Sequence, residues 1–185
     1  MSRHHKDIGG AVKSLSYTAA YVVPLTAILG ALLGGAWCFM TPTLLFVLSP
    51  VLDEVLPENR HNPDANEEQQ ALADPFYDIF LRAYGLVQLG ALAFAVCWVS
   101  HGEFTIIEWT GLIASFGIVG GIGINVAHEL MHRSRLSDRA LAEAIMTSVT
   151  YTHFCVEHVH GHHKRVATRA DPATSRLGEP VYGFV

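Results

Sequence analysis

Charged residues are absent from three long stretches of the chain, and these stretches dominate its hydrophobic pattern. Ser14–Leu52 contains 39 residues without Asp, Glu, Lys or Arg, and Ala83–Gly102 and Trp109–His128 contain 20 each. A helix needs about 20 apolar residues to cross the roughly 30 Å hydrocarbon core of a bilayer. The two shorter stretches therefore predict one transmembrane helix each, and the longest predicts two that are joined by a tight turn.

The turn between the first two predicted spans has two candidate positions. Gly34–Gly35 and Thr41–Thr43, which includes Pro42, both interrupt the apolar pattern with residues that are poor in helix interiors. The second span is expected to end near Asp53, and Pro50 is expected to kink or end it.

A polar connector separates the first pair of spans from the second pair. Between residues 53 and 78 there are eight acidic side chains and one basic side chain, Arg60. Such a composition cannot bury a core, so it predicts a loop over residues 53–76. The third span is predicted at Tyr77–Ser100 and the fourth at Ile106–Ala127.

The basic residues predict the orientation of these spans. Three of the twelve Lys and Arg lie in the first 13 residues and seven follow His128, while the two short links between paired spans have none. Lys and Arg are in excess on the cytoplasmic side. With four spans in residues 14–127, both termini and residues 128–185 are therefore predicted to be cytoplasmic.

The net charge of −5 gives no support for nucleic-acid binding. The predicted fold class is an all-α, multi-pass transmembrane bundle that forms a single membrane-embedded domain.

Seven of the eleven histidines lie between residues 128 and 163, directly after the fourth predicted span. Six of them form two boxes, H-E-L-M-H from His128 and E-H-V-H-G-H-H from Glu157, and the seventh, His153, lies between the boxes. Residues four apart share a helix face, so each box can present two histidines to one metal ion, and His163 points away from His162 toward a possible second ion. Neutral imidazole suits iron, zinc and copper. The predicted metal ligands are His128, His132, His158, His162 and His163.

Other polar residues near the boxes are candidates for orienting these ligands through hydrogen bonds. They are Asn125, Glu129, His153, Glu157 and His160. Both glutamates fit an equally simple interpretation as solvated side chains at the membrane surface. The remaining histidines, outside the boxes, are predicted to have no role in metal binding: His4, His5, His61 and His101.

The first box also matches H-E-x-x-H, the zinc metalloprotease signature, in which the glutamate acts as general base. A catalytic zinc site of that kind has three protein ligands and one open position. Here the second box supplies three more histidines, which favours a two-metal site but leaves the intramembrane protease interpretation open.

Longer patterns around the boxes resemble the membrane alkane 1-monooxygenases, within the fatty-acid desaturase and hydroxylase superfamily. These patterns are N-x-x-H-E-L-M-H from Asn125, Y-T-H-F from Tyr151, and E-H-x-x-G-H-H from Glu157. The last pattern continues into V-A-T-x-x-D-P-A-T-S-R-L-G-E, which ends at Glu179. The resemblance covers essentially the whole chain.

The resemblance implies a six-span inner-membrane enzyme with a non-haem di-iron centre. Such an enzyme uses O₂ to hydroxylate the terminal methyl of medium-chain alkanes to 1-alkanols, with electrons from NAD(P)H through a reductase and a rubredoxin. Membrane fatty-acid desaturases and other alkyl-group hydroxylases of the same superfamily are the alternatives. No third box, H-x-x-H-H, precedes Val185, so the chain is expected to be an N-terminal fragment with an incomplete centre, inactive by itself.

Overall fold

The computed structural model describes residues 17–57 and 64–184, and this part of the chain is helical with no strand. Within the helices, Tyr17–Tyr21 form a 3₁₀ turn, and Leu44–Leu48 and Glu157–His162 each form a π-helical turn. The predicted all-α fold class is confirmed. The helices are α1 Tyr17–Leu33, α2 Gly35–Val55, α3 Ala65–Ala73, α4 Pro75–His101, α5 Ile106–Met131, α6 Leu136–Ser148, α7 at residues 154–165 and α8 Val181–Phe184.

Three of these helices, α2, α4 and α5, are long and apolar enough to cross a membrane, and α1 is a shorter apolar helix. Their outward faces carry large apolar side chains, including Phe46, Val96 and Ile113, each about 70% exposed. Apolar surface on this scale fits contact with lipid rather than with water. The prediction of a multi-pass membrane bundle is confirmed.

The turn between α1 and α2 lies at the first of its two candidate positions. Gly34 has a φ of 70° and Gly35 a φ of 56°, a left-handed conformation that glycine adopts without steric cost. Helix α2 runs through Pro42 and through Pro50 to Val55, so of the two outcomes predicted at Pro50, an end of the helix is wrong. A π turn directly before Ser49 widens the helix there, and such local widening accommodates residues that cannot complete the regular hydrogen-bond ladder.

The polar connector contains a helix, α3, where the composition predicts a loop. Asp64 accepts a hydrogen bond from the backbone N–H of Asn66 at 2.9 Å, and the Glu, Gln and Ala residues that follow are strong helix formers. Asp74 then caps α4 by accepting from the N–H of Phe76 at 2.9 Å. The connector thus has its own local helix signals despite lacking a hydrophobic core.

Two clusters of buried apolar residues hold the helices together. The first joins α1, α2, α4 and α5 through small side chains such as Ala27, Cys38 and Ala91. Close approach is required there, because a methyl group added at Gly111 would lie 2.6 Å from the Cβ of Cys38. The second cluster joins the end of α5 to α6 and lies directly beneath both histidine boxes. Its members are Ala127, Leu130, Met131, Ala142, Ile145 and Met146.

Ion pairs fix the same end of the bundle. The guanidinium of Arg82 on α4 donates to both carboxylate oxygens of Asp138 on α6, at 2.6 and 2.9 Å. Arg133, just after α5, donates to Asp78 on α4 and lies 3.4 Å from Glu129. The beginning of α4, the end of α5 and the beginning of α6 are therefore joined immediately beside the histidine-rich segment.

Candidate metal centre

The first histidine box lies at the end of α5, which extends four residues beyond its predicted end at Ala127. His128 occupies its last turn, and His132 follows Met131 as the capping residue. Leu130 is fully buried against α6. Because this inward face is packed, the helix continues through the box and holds both histidines on its other side.

The second histidine box lies on the π-helical turn of α7, Glu157–His162. The backbone N–H of His163 donates to the carbonyl oxygen of His158, a hydrogen bond that spans five residues instead of four. Regular α-helical spacing predicts that His158 pairs with His162 while His163 points away. The structure instead brings His158 and His163 together, because the wider turn rotates His163 toward His158.

Four histidines, two from each box, converge between α5 and α7. His158 Nε2 lies 2.6 Å from His128 Nε2 and 2.9 Å from His163 Nε2. His132 Nε2 lies 3.4 Å from His128 Nε2, and the four donor atoms are all within 4.8 Å of one another. Metal–nitrogen bonds of about 2.0–2.1 Å place neighbouring nitrogen ligands about 3 Å apart. The four histidines therefore fit a single first-row transition-metal ion.

The electrostatics of the cluster favour metal binding. Burial, together with the neighbouring His128 and His163, lowers the pKa of His158 to about 4. Burial also lowers the pKa of His132. The ring of Phe154 stacks on His158 with centroids 4.7 Å apart and shields it from solvent. Both imidazoles are therefore neutral near pH 7, the form in which a histidine binds a metal.

His162, the fifth predicted ligand, lies outside this group of four. Its Nδ1 atom is 2.8 Å from Oδ2 of Asp171, whose side chain is fully buried. Its ring lies nearly parallel to that of His158, with centroids 5.3 Å apart. The second box thus directs two histidines to the cluster and holds the third in a separate hydrogen bond.

The five residues proposed to orient the ligands lie around the cluster without bonding to it. Asn125, Glu129, His153, Glu157 and His160 are all exposed. Glu129 pairs with Arg133, and His153 contacts the ring of Tyr151 at 4.8 Å. Within residues 17–57 and 64–184, none of the five hydrogen-bonds a ring nitrogen of the four clustered histidines. Their roles stay predictions.

The histidines outside the boxes are separate from the cluster where they are described. His101 ends α4, and its Nδ1 lies 2.8 Å from the carbonyl oxygen of Cys97. His4, His5 and His61 lie outside the described residues.

Sequence reasoning missed the contribution of Asp171 and of the Arg82–Asp138 ion pair. Arg82 and Asp78 stand four residues apart at the edge of an apolar stretch, a spacing that places both on one helix face. That spacing could have predicted a charged face on α4. The contact between Asp171 and His162 has no such signal, because it depends on the path of an irregular segment.

Comparison with known proteins finds a family match that includes both histidine boxes. Residues 107–185 match the fatty acid desaturase family. The chain is 35% identical to alkane 1-monooxygenase 1 of Alcanivorax borkumensis over 166 residues, which is 87% of the chain and 41% of that protein. It is 36% identical to the alkane 1-monooxygenase of Acinetobacter baylyi over 143 residues, 77% of the chain and 35% of that protein.

A more distant relative extends the comparison to another hydroxylase. The hydroxylase component of a xylene/toluene monooxygenase from Pseudomonas putida is 26% identical over 179 residues, 93% of the chain and 46% of that protein. The chain spans less than half the length of each of these relatives. The segment that matches the fatty acid desaturase family includes both histidine boxes, and over most of its length the chain is similar to the alkane 1-monooxygenases.

Proposed function

We propose that the complete protein is a non-haem di-iron monooxygenase that hydroxylates the terminal methyl of medium-chain alkanes to 1-alkanols with O₂. The observation that carries the proposal is the convergence of four histidine nitrogens at the end of a membrane-length helix. The alkane 1-monooxygenase relatives support both the reaction and the substrate class. The two iron ions are bound by His128, His132, His158, His162 and His163, together with ligands from outside these 185 residues.

A terminal C–H bond has no polar handle for acid–base chemistry, so bound iron supplies, with O₂, the oxidising power for the reaction. The chain's own residues place the ligands and keep water away. The buried cluster of Leu130, Ile145 and Met146 closes the side of the site that faces the bundle. An alkane offers only length and shape for recognition, so its path to the site runs from the lipid phase between apolar helices.

Electrons are proposed to come from NAD(P)H through a reductase and a rubredoxin. A cavity of about 290 Å³ lies beside the cluster, and its rim includes the guanidinium groups of Arg133 and Arg139 with one acidic residue, Glu143. Positive charge of this kind steers an acidic protein to its docking site. The cavity supports electron entry from the side of the protein that carries the histidine boxes.

The proposed location is the inner membrane, with four crossings in residues 14–127 and with both termini and residues 128–185 in the cytoplasm. α1 has 17 residues. Five residues at about 2.0 Å and twelve at about 1.5 Å per residue give it a length of roughly 28 Å, close to the hydrocarbon thickness. This length supports α1 as the first of the four spans.

Reporter fusions test this topology. A reporter that is active only in the cytoplasm is expected to be active when fused after Val185, because an even number of spans returns the chain to its starting side. A fusion after Gly35, in the first predicted turn, is the matched control and is expected to be active only with a periplasmic reporter. Periplasmic activity after Val185 would rule out the orientation.

Product analysis tests the proposed reaction. The complete protein, supplied with reductant, rubredoxin and a medium-chain alkane, is expected to contain two irons and to form the 1-alkanol with an oxygen atom derived from ¹⁸O₂. Mass spectrometry of the product and elemental analysis of the protein provide the measurements. Turnover that continues without O₂ would contradict a monooxygenase.

The desaturase match supports a second candidate function, the desaturation of a fatty acyl chain. Desaturation forms a carbon–carbon double bond and transfers no ¹⁸O to the product, so the same assay separates the two reactions when an acyl substrate is included. Peptide cleavage with one bound zinc and no need for O₂ would instead identify an H-E-x-x-H protease. The pairing of Glu129 with Arg133 disfavours that role, since a general base must reach a metal-bound water.

A further inference from the structure

Asp171, which follows the second histidine box, is buried and makes several hydrogen-bonding contacts. Its side chain is fully buried although the residues on either side of it are exposed. The Oδ2 atom faces Nδ1 of His162 at 2.8 Å. This carboxylate is therefore held at one fixed position against one nitrogen of a histidine in the second box.

The surrounding turn holds the carboxylate in place. Oδ1 accepts a hydrogen bond from the backbone N–H of Ala173 at 3.1 Å, and Oδ2 accepts one from the hydroxyl of Thr174. The same hydroxyl accepts from the N–H of Ala167 at 3.0 Å, which closes the segment into a loop around the carboxylate. Both oxygens of Asp171 therefore already accept hydrogen bonds from donors of the surrounding turn, and their lone pairs are directed.

Because both oxygens of Asp171 accept hydrogen bonds from the turn, the carboxylate also acts as the acceptor toward His162, and the proton of this contact lies on Nδ1 of the ring. That tautomer leaves the lone pair on Nε2, and Nε2 becomes the only atom through which His162 can bind a metal. Carboxylates commonly hold metal-binding histidines in this way, fixing both the ring orientation and the tautomer.

We propose that Asp171 is a positioning residue that holds His162 as an Nε2 ligand for a second metal position, apart from the four-histidine cluster. The proposal rests on the proposed di-iron function. The two metal positions then receive different numbers of ligands from these 185 residues, because one receives four histidine nitrogens and the other receives only that of His162. Loss of Asp171 should therefore weaken one position and spare the other.

Iron content in the complete protein tests this role. Replacing Asp171 with alanine is expected to lower the affinity for one of the two irons by about 10–100-fold, the usual effect of losing a hydrogen-bond partner of a metal ligand. After treatment with a chelator, Asp171→Ala should keep one iron per chain where the unaltered protein keeps two. Elemental analysis and the rate of iron release, followed by absorbance of the chelate, measure this without relying on turnover.

Coupling between the two residues distinguishes positioning from a merely structural role. His162→Ala should lose the same iron, and the double variant should lose no more than His162→Ala alone, because both changes act on one position. Glu179→Ala is the matched control, since that acidic side chain lies in the same segment and accepts a hydrogen bond from the backbone N–H of Arg176. It should retain both irons.

The outcomes separate this inference from the proposed function. If the unaltered protein holds no iron or one zinc, the di-iron function fails and the role of Asp171 fails with it. If it holds two irons and Asp171→Ala releases both at the unaltered rates, only the role of Asp171 is overturned. Should Asp171→Ala not fold, the nearly isosteric Asp171→Asn decides: selective loss of one iron supports the proposal, and unchanged release of both overturns it.

Discussion

Replacing His158 with alanine is expected to abolish hydroxylation and to remove at least one of the two irons from the complete protein. His158 is the centre of the cluster, since its Nε2 atom contacts His128 at 2.6 Å and His163 at 2.9 Å. The apolar neighbours Phe154 and Val159 offer no donor that could replace it. Elemental analysis of the purified protein and gas chromatography of the 1-alkanol provide the two measurements.

His101→Ala is the matched control for this substitution. Among the residues that the structure describes, His101 bonds only within the last turn of α4, at the end opposite to the histidine cluster, so its removal should leave iron content and product formation nearly unchanged. If His158→Ala retained two irons and full activity, the convergence of the four histidines would have no bearing on metal binding.

The helices follow from the sequence because the physical cause of each is local. A charge-free stretch of membrane length has no lower-energy arrangement in a bilayer than a helix that satisfies its own backbone groups. The residues at which the helices end are harder to predict from the sequence. α5 continues past Ala127 because Leu130 and Met131 are buried against α6, and this burial depends on a helix that lies later in the chain.

The sequence predicts which histidines form the site, but it does not predict which of them lie together. Regular helical spacing pairs His158 with His162, whereas the π turn pairs His158 with His163. Nothing in the pattern of residues 157–163 marks a five-residue hydrogen bond, because the side-chain spacing is the same for either winding. The burial of Asp171 depends likewise on the fold of the loop at residues 166–174.

Removing Arg82 is expected to destabilise the protein more than removing any exposed arginine. Asp138 is buried, with a side chain only 1% exposed, and Arg82 donates to both of its oxygens. Arg82→Ala leaves this carboxylate without its partner, at a cost of about 3 kcal/mol, the lower end for a broken buried pair because Asp138 lies in the first turn of α6. Arg139→Ala, on the exposed face of the same helix, should change the free energy of unfolding by less than about 0.5 kcal/mol.

A double variant and a change of pH show whether the unpaired charge is the cause. Arg82→Ala combined with Asp138→Ala should be more stable than Arg82→Ala alone, because the second change removes the buried charge that the first leaves unpaired.

The hydrogen bond from Arg82 lowers the pKa of Asp138 below its ordinary value of 3.8. Stabilisation by this pair is then fully present above that value and is lost only as the pH falls below it, through the lowered pKa. In the unaltered protein the pair is therefore fully stabilising at both pH 8 and pH 5. In Arg82→Ala, burial without the partner favours the neutral carboxyl, so denaturation in detergent should give a difference from the unaltered protein that is no larger at pH 5 than at pH 8. A double variant less stable than Arg82→Ala would show instead that Asp138 stabilises the first turn of α6 without its partner.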